Sequence, residues 1–229
     1  MFRNLIAFLF LSLICWGCAE EIQFSGVKTD QQYYPVKVGS YWIYDVSETK
    51  VSNNVADSSV KYQVRNLITD TFTNLENELT YQVIQSRRVN ASEAWGKDTV
   101  VLINKYQNNV RVTKNNKKVI ALIFPVKEGK TWNSNAFNSS EEQEFMFEKV
   151  NASFKLNNIV YDSTLTVRQA EADDIKLEDS YEVYAPRTGL IYKKQQLYEY
   201  YNVSGRFDRN IIVRGLKRIY KLNSFQSGN

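Results

Sequence analysis

Two acidic clusters, Glu141-Glu142-x-Glu144 and Glu171-x-Asp173-Asp174, have a spacing at which paired carboxylates can exchange a proton or hold a divalent cation. Neither has the alternating oxygen ligands and central glycine of a calcium loop, so both read as solvated strand ends. Gly129-Lys130-Thr131 matches the tail of a phosphate-binding loop, yet the first glycine of that motif falls on Phe124 and no strand-loop-helix context follows. Nucleotide binding is therefore excluded. The chain has no histidine, and its two cysteines are Cys15 and Cys18. The usual donors for zinc, copper, haem and iron–sulfur clusters are missing, as is the Ser-His-Asp or Cys-His machinery of nucleophilic catalysis. Carboxylate, Tyr, Lys or Ser-Lys chemistry remains. No catalytic residue, metal ligand or cofactor is assigned, and a carboxylate-dependent hydrolase stands as the enzymatic alternative.

The most informative residue is Cys18. Met1-Phe2-Arg3-Asn4 precedes an apolar run from Leu5 to Trp16 broken only by Ser12, and Gly17-Cys18 and the polar Ala19-Glu20-Glu21 follow. At about 12 residues the run is too short to span a bilayer, and it follows a lone basic residue, as in a cleavable export signal. A small residue before a cysteine at the end of such a run resembles the lipobox of bacterial lipoproteins, with Cys15 and Trp16 standing where Leu/Val/Ile and Ala/Ser/Thr are usual. That resemblance implies that Cys18 is acylated and becomes the first residue of the mature chain. The expected division is a signal peptide over 1–17, a lipid-anchored tether over 18–32 and a single β-rich domain over 33–229. The mature chain would have no thiol, so its core must hold it, and about 212 residues can bury roughly 70% of the unfolded surface.

Apolar residues in the body of the chain alternate instead of recurring at helical spacing. Tyr62 and Val64, Val110 and Val112, Phe145 and Phe147, Phe154 and Leu156, Leu165 and Val167, and Tyr181 and Val183 mark half-buried strands. The pairs Asn53-Asn54, Asn108-Asn109, Asn115-Asn116 and Asn157-Asn158 lie between them, and Asn accepts the positive φ of a two-residue hairpin turn. The continuous apolar run Val119–Phe124 predicts a strand covered on both faces, central to a sheet. Glu171–Glu178 is the best place for a short helix, with a loop as the alternative. The fold class is all-β: a largely antiparallel curved sheet, half-barrel or sandwich, with little helix after the signal.

Tyr34-Pro35-Val36-Lys37-Val38-Gly39-Ser40-Tyr41-Trp42 and Phe124-Pro125-Val126-Lys127-Glu128-Gly129-Lys130-Thr131-Trp132 share aromatic-Pro-Val-Lys-x-Gly-x-x-Trp, and Tyr184-Ala185-Pro186-Arg187-Thr188-Gly189-Leu190 keeps the proline and the glycine. Proline sets the turn, glycine takes a φ that side chains forbid, and tryptophan enters the next strand as an anchor. The repeat marks either an internal duplication near 34–123 and 124–225 or two equivalent corners of one sheet. These motifs, soon after a lipobox, resemble a broad group of Bacteroidota outer-membrane lipoproteins. The resemblance implies an envelope location and a β-rich fold, and it carries no catalytic residue. Glu20-Glu21 is similar to the signal that sends lipoproteins of that phylum to the cell surface.

Removing the signal takes only Arg3 from a balance of 29 basic and 25 acidic residues, so nucleic acid is not an expected partner. The basic groups Arg87-Arg88, Lys114 with Lys117-Lys118, Lys193-Lys194 and Arg214 with Lys217-Arg218 read as solvated strand edges, with attraction to anionic lipid or polysaccharide as the alternative. Aromatic faces stack on sugars and line apolar grooves, which makes Trp42, Trp132, Tyr198 and Tyr200 the candidate ligand residues. The expected function is a non-catalytic binding or structural module with a glycan, lipid or protein ligand. A lipid or lipoprotein carrier, with an apolar cavity under a curved sheet, is the alternative. Cys18→Ala is expected to give a soluble, folded protein; if that variant still sediments with membranes, the lipid on Cys18 is not the anchor.

Overall fold

In a computed structural model, residues 30–170, 176–204 and 206–228 are described. After a 3₁₀ turn at Gln31–Tyr33 come β1 (Tyr41–Ser52), β2 (Val55–Thr73), β3 (Leu79–Arg88), β4 (Gly96–Lys105), β5 (Asn109–Lys114) and β6 (Lys117–Ile123). The second half is β7 (Thr131–Asn133), β8 (Glu144–Leu156), β9 (Ile159–Ala170), β10 (Lys176–Glu178), β11 (Ser180–Ala185), β12 (Gly189–Val203) and β13 (Arg206–Gln226). All pairings are antiparallel, in the order β6-β5-β4-β3-β2-β1-β13-β12-β11-β9-β8-β7, with the short β10 alongside β12.

This order is an up-and-down meander that returns on itself, since the first strand pairs with the last from Tyr41↔Gln226 to Ser52↔Arg214. The outermost strands, β6 and β7, are consecutive in the chain and meet at a seam. There Ile120 N donates to Ser134 O at 2.9 Å, and Trp132 Nε1 donates to Ile120 O at 3.1 Å. The expected all-β curved sheet is thus a nearly closed antiparallel barrel, which leaves few unpaired edges.

Local expectations divide. Asn53-Asn54 and Asn115-Asn116 take positive φ at both residues and close β1–β2 and β5–β6. Asn157 does so in the β8–β9 turn. The pair Asn108-Asn109 does not form a turn: Asn109 heads β5 and its carbonyl accepts Tyr106 N at 2.8 Å across a three-residue connection. Val119–Phe124 is not central, because β6 ends the strand order. Ile120, Leu122 and Phe124 face the core, while Val119, Ala121 and Ile123 are half-buried. The seam, crossed by Asn138 Nδ2 donating to Lys118 O, explains this apolar outer row on a terminal strand. Lys176–Glu178 is strand rather than helix or loop, and 171–175, with the acidic cluster there, lies outside the described residues.

The repeated motif is one turn built twice. Gly39 (φ 85°) and Gly129 (φ 76°) each donate their N–H, to Ile68 O and Phe147 O. The next residues, Ser40 and Lys130, donate to Lys37 O and Lys127 O and accept from Ile68 N and Phe147 N. Both partners are fully buried, and two residues later each tryptophan enters the core at 8% exposure. Trp42 stacks on Phe225 and donates to Thr188 O, in the third proline turn; Trp132 packs on Phe147 with ring centroids 4.7 Å apart.

Residues Asp30–Gln32, expected in the tether, belong to the folded body. Asp30 Oδ2 accepts Val126 N, Gln31 Nε2 donates to Tyr106 O and Gln107 O, and Gln32 O accepts Arg187 N. Lys105 Nζ donates to Gln31 O and Tyr34 O, both at 2.8 Å, and burial lowers its pKa to about 8. The segment therefore crosses the end of the barrel where β2–β3, β4–β5, β6–β7, β8–β9 and β11–β12 turn. Trp42→Ala and Trp132→Ala are each expected to cost about 3–5 kcal/mol in urea denaturation; a loss below about 1 kcal/mol would mean that the indoles are not core anchors.

Candidate functional site

Strand register assigns every side chain to one of two faces, and the inner face changes character along the barrel axis. Near the end crossed by residues 30–34, the inner face is apolar: Trp42, Tyr44, Val64, Ile68, Val83, Val101, Ile103 and Leu222 are all buried. Toward the other end it is charged. Glu48 pairs in register with Arg218, Glu182 with Lys193, Val64 with Arg87 and Val101 with Lys114, so all six charged residues share that face.

The innermost pair is Glu182 and Lys193. Glu182 is 7% exposed, receives Lys193 Nζ at 2.6 Å and accepts the Tyr184 hydroxyl. Burial pushes the Glu182 carboxyl upward, but the ammonium of Lys193 and the hydrogen bonds outweigh it and hold the pKa below the ordinary carboxylate value. Lys193 is held above its ordinary value by the same pair, against its own burial. Next along the wall, Glu48 Oε2 accepts both Arg218 Nε at 2.7 Å and Tyr62 Oη at 3.0 Å, and the Arg87 guanidinium lies 3.5 Å from the centre of the Tyr62 ring. Across from them Lys114 Nζ donates to Gln85 Oε1 at 2.5 Å. Burial, and then the charges of Lys193 and Arg218, lower the Lys114 pKa. Among the described residues, no carboxylate pairs with Lys114 or Arg87. Farther out, Glu178, Leu197, Tyr198, Glu199, Arg214 and Leu216 line a cleft of about 340 Å³, where Arg214 Nη2 meets Glu199 Oε1 at 2.8 Å.

The residues named from sequence are scattered over this structure. Tyr198 reaches the cleft, with its ring so close over Gly215 that a Cβ there would stand 2.5 Å from it. Tyr200 is half-buried two residues further along β12 and is not among the cleft residues. Trp42 and Trp132 are in the core on different strands. Glu141 and Glu142 lie in the β7–β8 connection and Glu144 starts β8; among the described residues no three His, Cys, Asp or Glu side chains could hold a metal ion. Sequence reading took Arg87-Arg88 and Lys193-Lys194 as solvated pairs; Arg87 is exposed, whereas Lys193 is drawn to the buried Glu182. In each pair one side chain points in and one out: Arg88 lies against Trp95, and Lys194 bonds Asp179 on the outer face. The alternation of residue type was a signal for faces, but not for which face closes.

No family model matches the chain, and no curated protein matches it. Among solved structures it is similar to a chain described as a lipoprotein from Parabacteroides distasonis, at 10% identity and TM-score 0.46, covering 85% of this chain and 98% of that one. It is also similar to one described as an exported protein with a YmcC-like fold from Bacteroides fragilis, at 10% identity and TM-score 0.45, covering 84% and 98%.

Stability should follow the protonation of Glu182. Its folded pKa is below the unfolded one, so its contribution is present in full above about pH 4.5 and is lost as the pH falls through the folded value. In urea melts between pH 7 and 3, Glu182→Gln is expected to flatten that acid limb. Lys193→Met, which strands the carboxylate, is expected to cost about 3–5 kcal/mol at pH 7; a Lys193→Met loss under about 1 kcal/mol would show that the pair is not buried in solution.

Proposed function

We propose that this chain is a non-catalytic binding module of the cell envelope, tethered to the outer membrane by a lipid on Cys18, that takes its ligand at the charged end of the barrel. The observation that carries the reading is the gradient along the inner face. At the apolar end Ile68, Leu122, Leu165 and Ile191 are fully buried, so the barrel is packed there. At the other end charged side chains reach water: Lys193 and Arg218 are 26% and 27% exposed, Arg87 and Lys114 are exposed, and a cleft lined by Glu178, Glu199 and Arg214 lies farther out. A ligand fits where side chains still reach water, and the groups there suit hydrogen bonding and charge pairing rather than the dissolution of an acyl chain. The absence of histidine and of a thiol in the mature chain, together with the locking of Glu182 to Lys193 and Glu48 to Arg218, supports binding over turnover.

Native mass spectrometry tests this on the mature domain made without Cys18 in a bacterial periplasm and purified gently. A co-purifying polar mass that is displaced by salt is the expected outcome. A lipid-sized mass resistant to salt would instead favour the carrier with an apolar cavity.

A further inference from the structure

Four cations converge on the inner face of the barrel: Arg87 from β3, Lys114 from β5, Lys193 from β12 and Arg218 from β13. Two carboxylates face them, Glu182 on Lys193 and Glu48 on Arg218. That leaves two positive charges, Arg87 and Lys114, which hold to a Tyr ring and to an amide oxygen. Lys114 Nζ bonds Gln85 Oε1, two residues before Arg87 on the same face of β3, which sets these two cations side by side. Like charges gathered at a concave rim raise the local positive potential and draw anions. Arg87 and Lys114 are exposed there, and neither pairs with a carboxylate among the described residues.

We propose that this group binds an oxyanion, a phosphate or carboxylate, with Arg87 and Lys114 as its direct partners and with Lys193 and Arg218 supplying field while their acids keep them in place. The claim rests on the binding function proposed above and narrows it to a ligand bearing such a group. A planar guanidinium can offer two parallel N–H donors and an ammonium three more, which suits oxygen atoms on one centre. The source of the oxyanion is either a free anion or the head of an amphiphile. The apolar Leu197 and Leu216 at the cleft would contact a tail in the second case.

Calorimetric titration of the mature domain with inorganic phosphate and with dodecyl phosphate separates these sources. Saturable binding of both identifies a free-anion site, and binding of dodecyl phosphate alone identifies a headgroup site; either supports the proposal. The double variant Arg87→Gln/Lys114→Gln, with folding checked by near-ultraviolet circular dichroism, is expected to bind at least about ten-fold more weakly, since each charge-assisted contact is worth at least that factor. Lys114→Gln alone serves if the double variant does not fold. Binding of neither probe by the wild type, or unchanged affinity in the variants, overturns the proposal. The binding function itself is read separately: a mass that co-purifies equally with wild type and double variant would sustain a binding module while refuting its oxyanion site.

Discussion

The ladder between β1 and β13 is the constraint from which the rest follows. The other pairings are local, between neighbours in the chain or, for β9 with β11 and β10 with β12, one strand apart; this one joins residue 41 to residue 226 and turns a meander into a barrel. Closure gives the sheet an inside. Only then does the alternation along each strand acquire consequences, because one row of side chains must fill a confined space while the other meets water. Trp42, Tyr44 and Val46 on β1 face the same interior as Phe225, Leu222 and Tyr220 on β13, and the packing of one strand depends on the presence of the other.

The same closure sets the electrostatics. Glu182 and Lys193 sit on adjacent strands whose register brings them opposite one another, and the buried carboxylate depends on the ammonium beside it, which still reaches water. Their outer-face counterparts, Asp179 and Lys194, form an ion pair of the same chemistry joined by Arg168 and Glu148. The cations of the two sets are similarly exposed, but the side chains of Asp179 and Glu148 are 30% exposed and that of Glu182 only 9%, so a change of partner would be felt most at Glu182.

Much of the architecture was legible in the chain. Alternating residues such as Phe145 and Phe147 fixed the strands, Asn53-Asn54 and Asn115-Asn116 fixed hairpins, and the Pro-x3-Gly-x2-Trp motif marked a turn that the structure repeats hydrogen bond for hydrogen bond. The failures share a cause. Val119–Phe124 looked central because hydrophobicity reports cover, and a seam between two outer strands covers as well as a neighbouring ladder does. Arg87-Arg88 and Lys193-Lys194 looked like solvated pairs because composition cannot say which alternate residue faces in. The candidate site depends on register between strands far apart in sequence, as with Lys114 and Lys193, and no local pattern encodes that. The aromatic residues drew attention by size, yet Trp42 and Trp132 were spent on the core.

The N-terminal segment has a geometric consequence. Asp30 to Tyr34 is stitched across one rim of the barrel, and Gly228 N is held by Ser40 Oγ on that same rim. Both ends of the folded body therefore leave from one pole, and the charged cleft opens at the other. A tether through Cys18 would hold the body by that pole, across at most about 40 Å of chain between Cys18 and Asp30. Such a tether would turn the basic rim away from the surface that holds it.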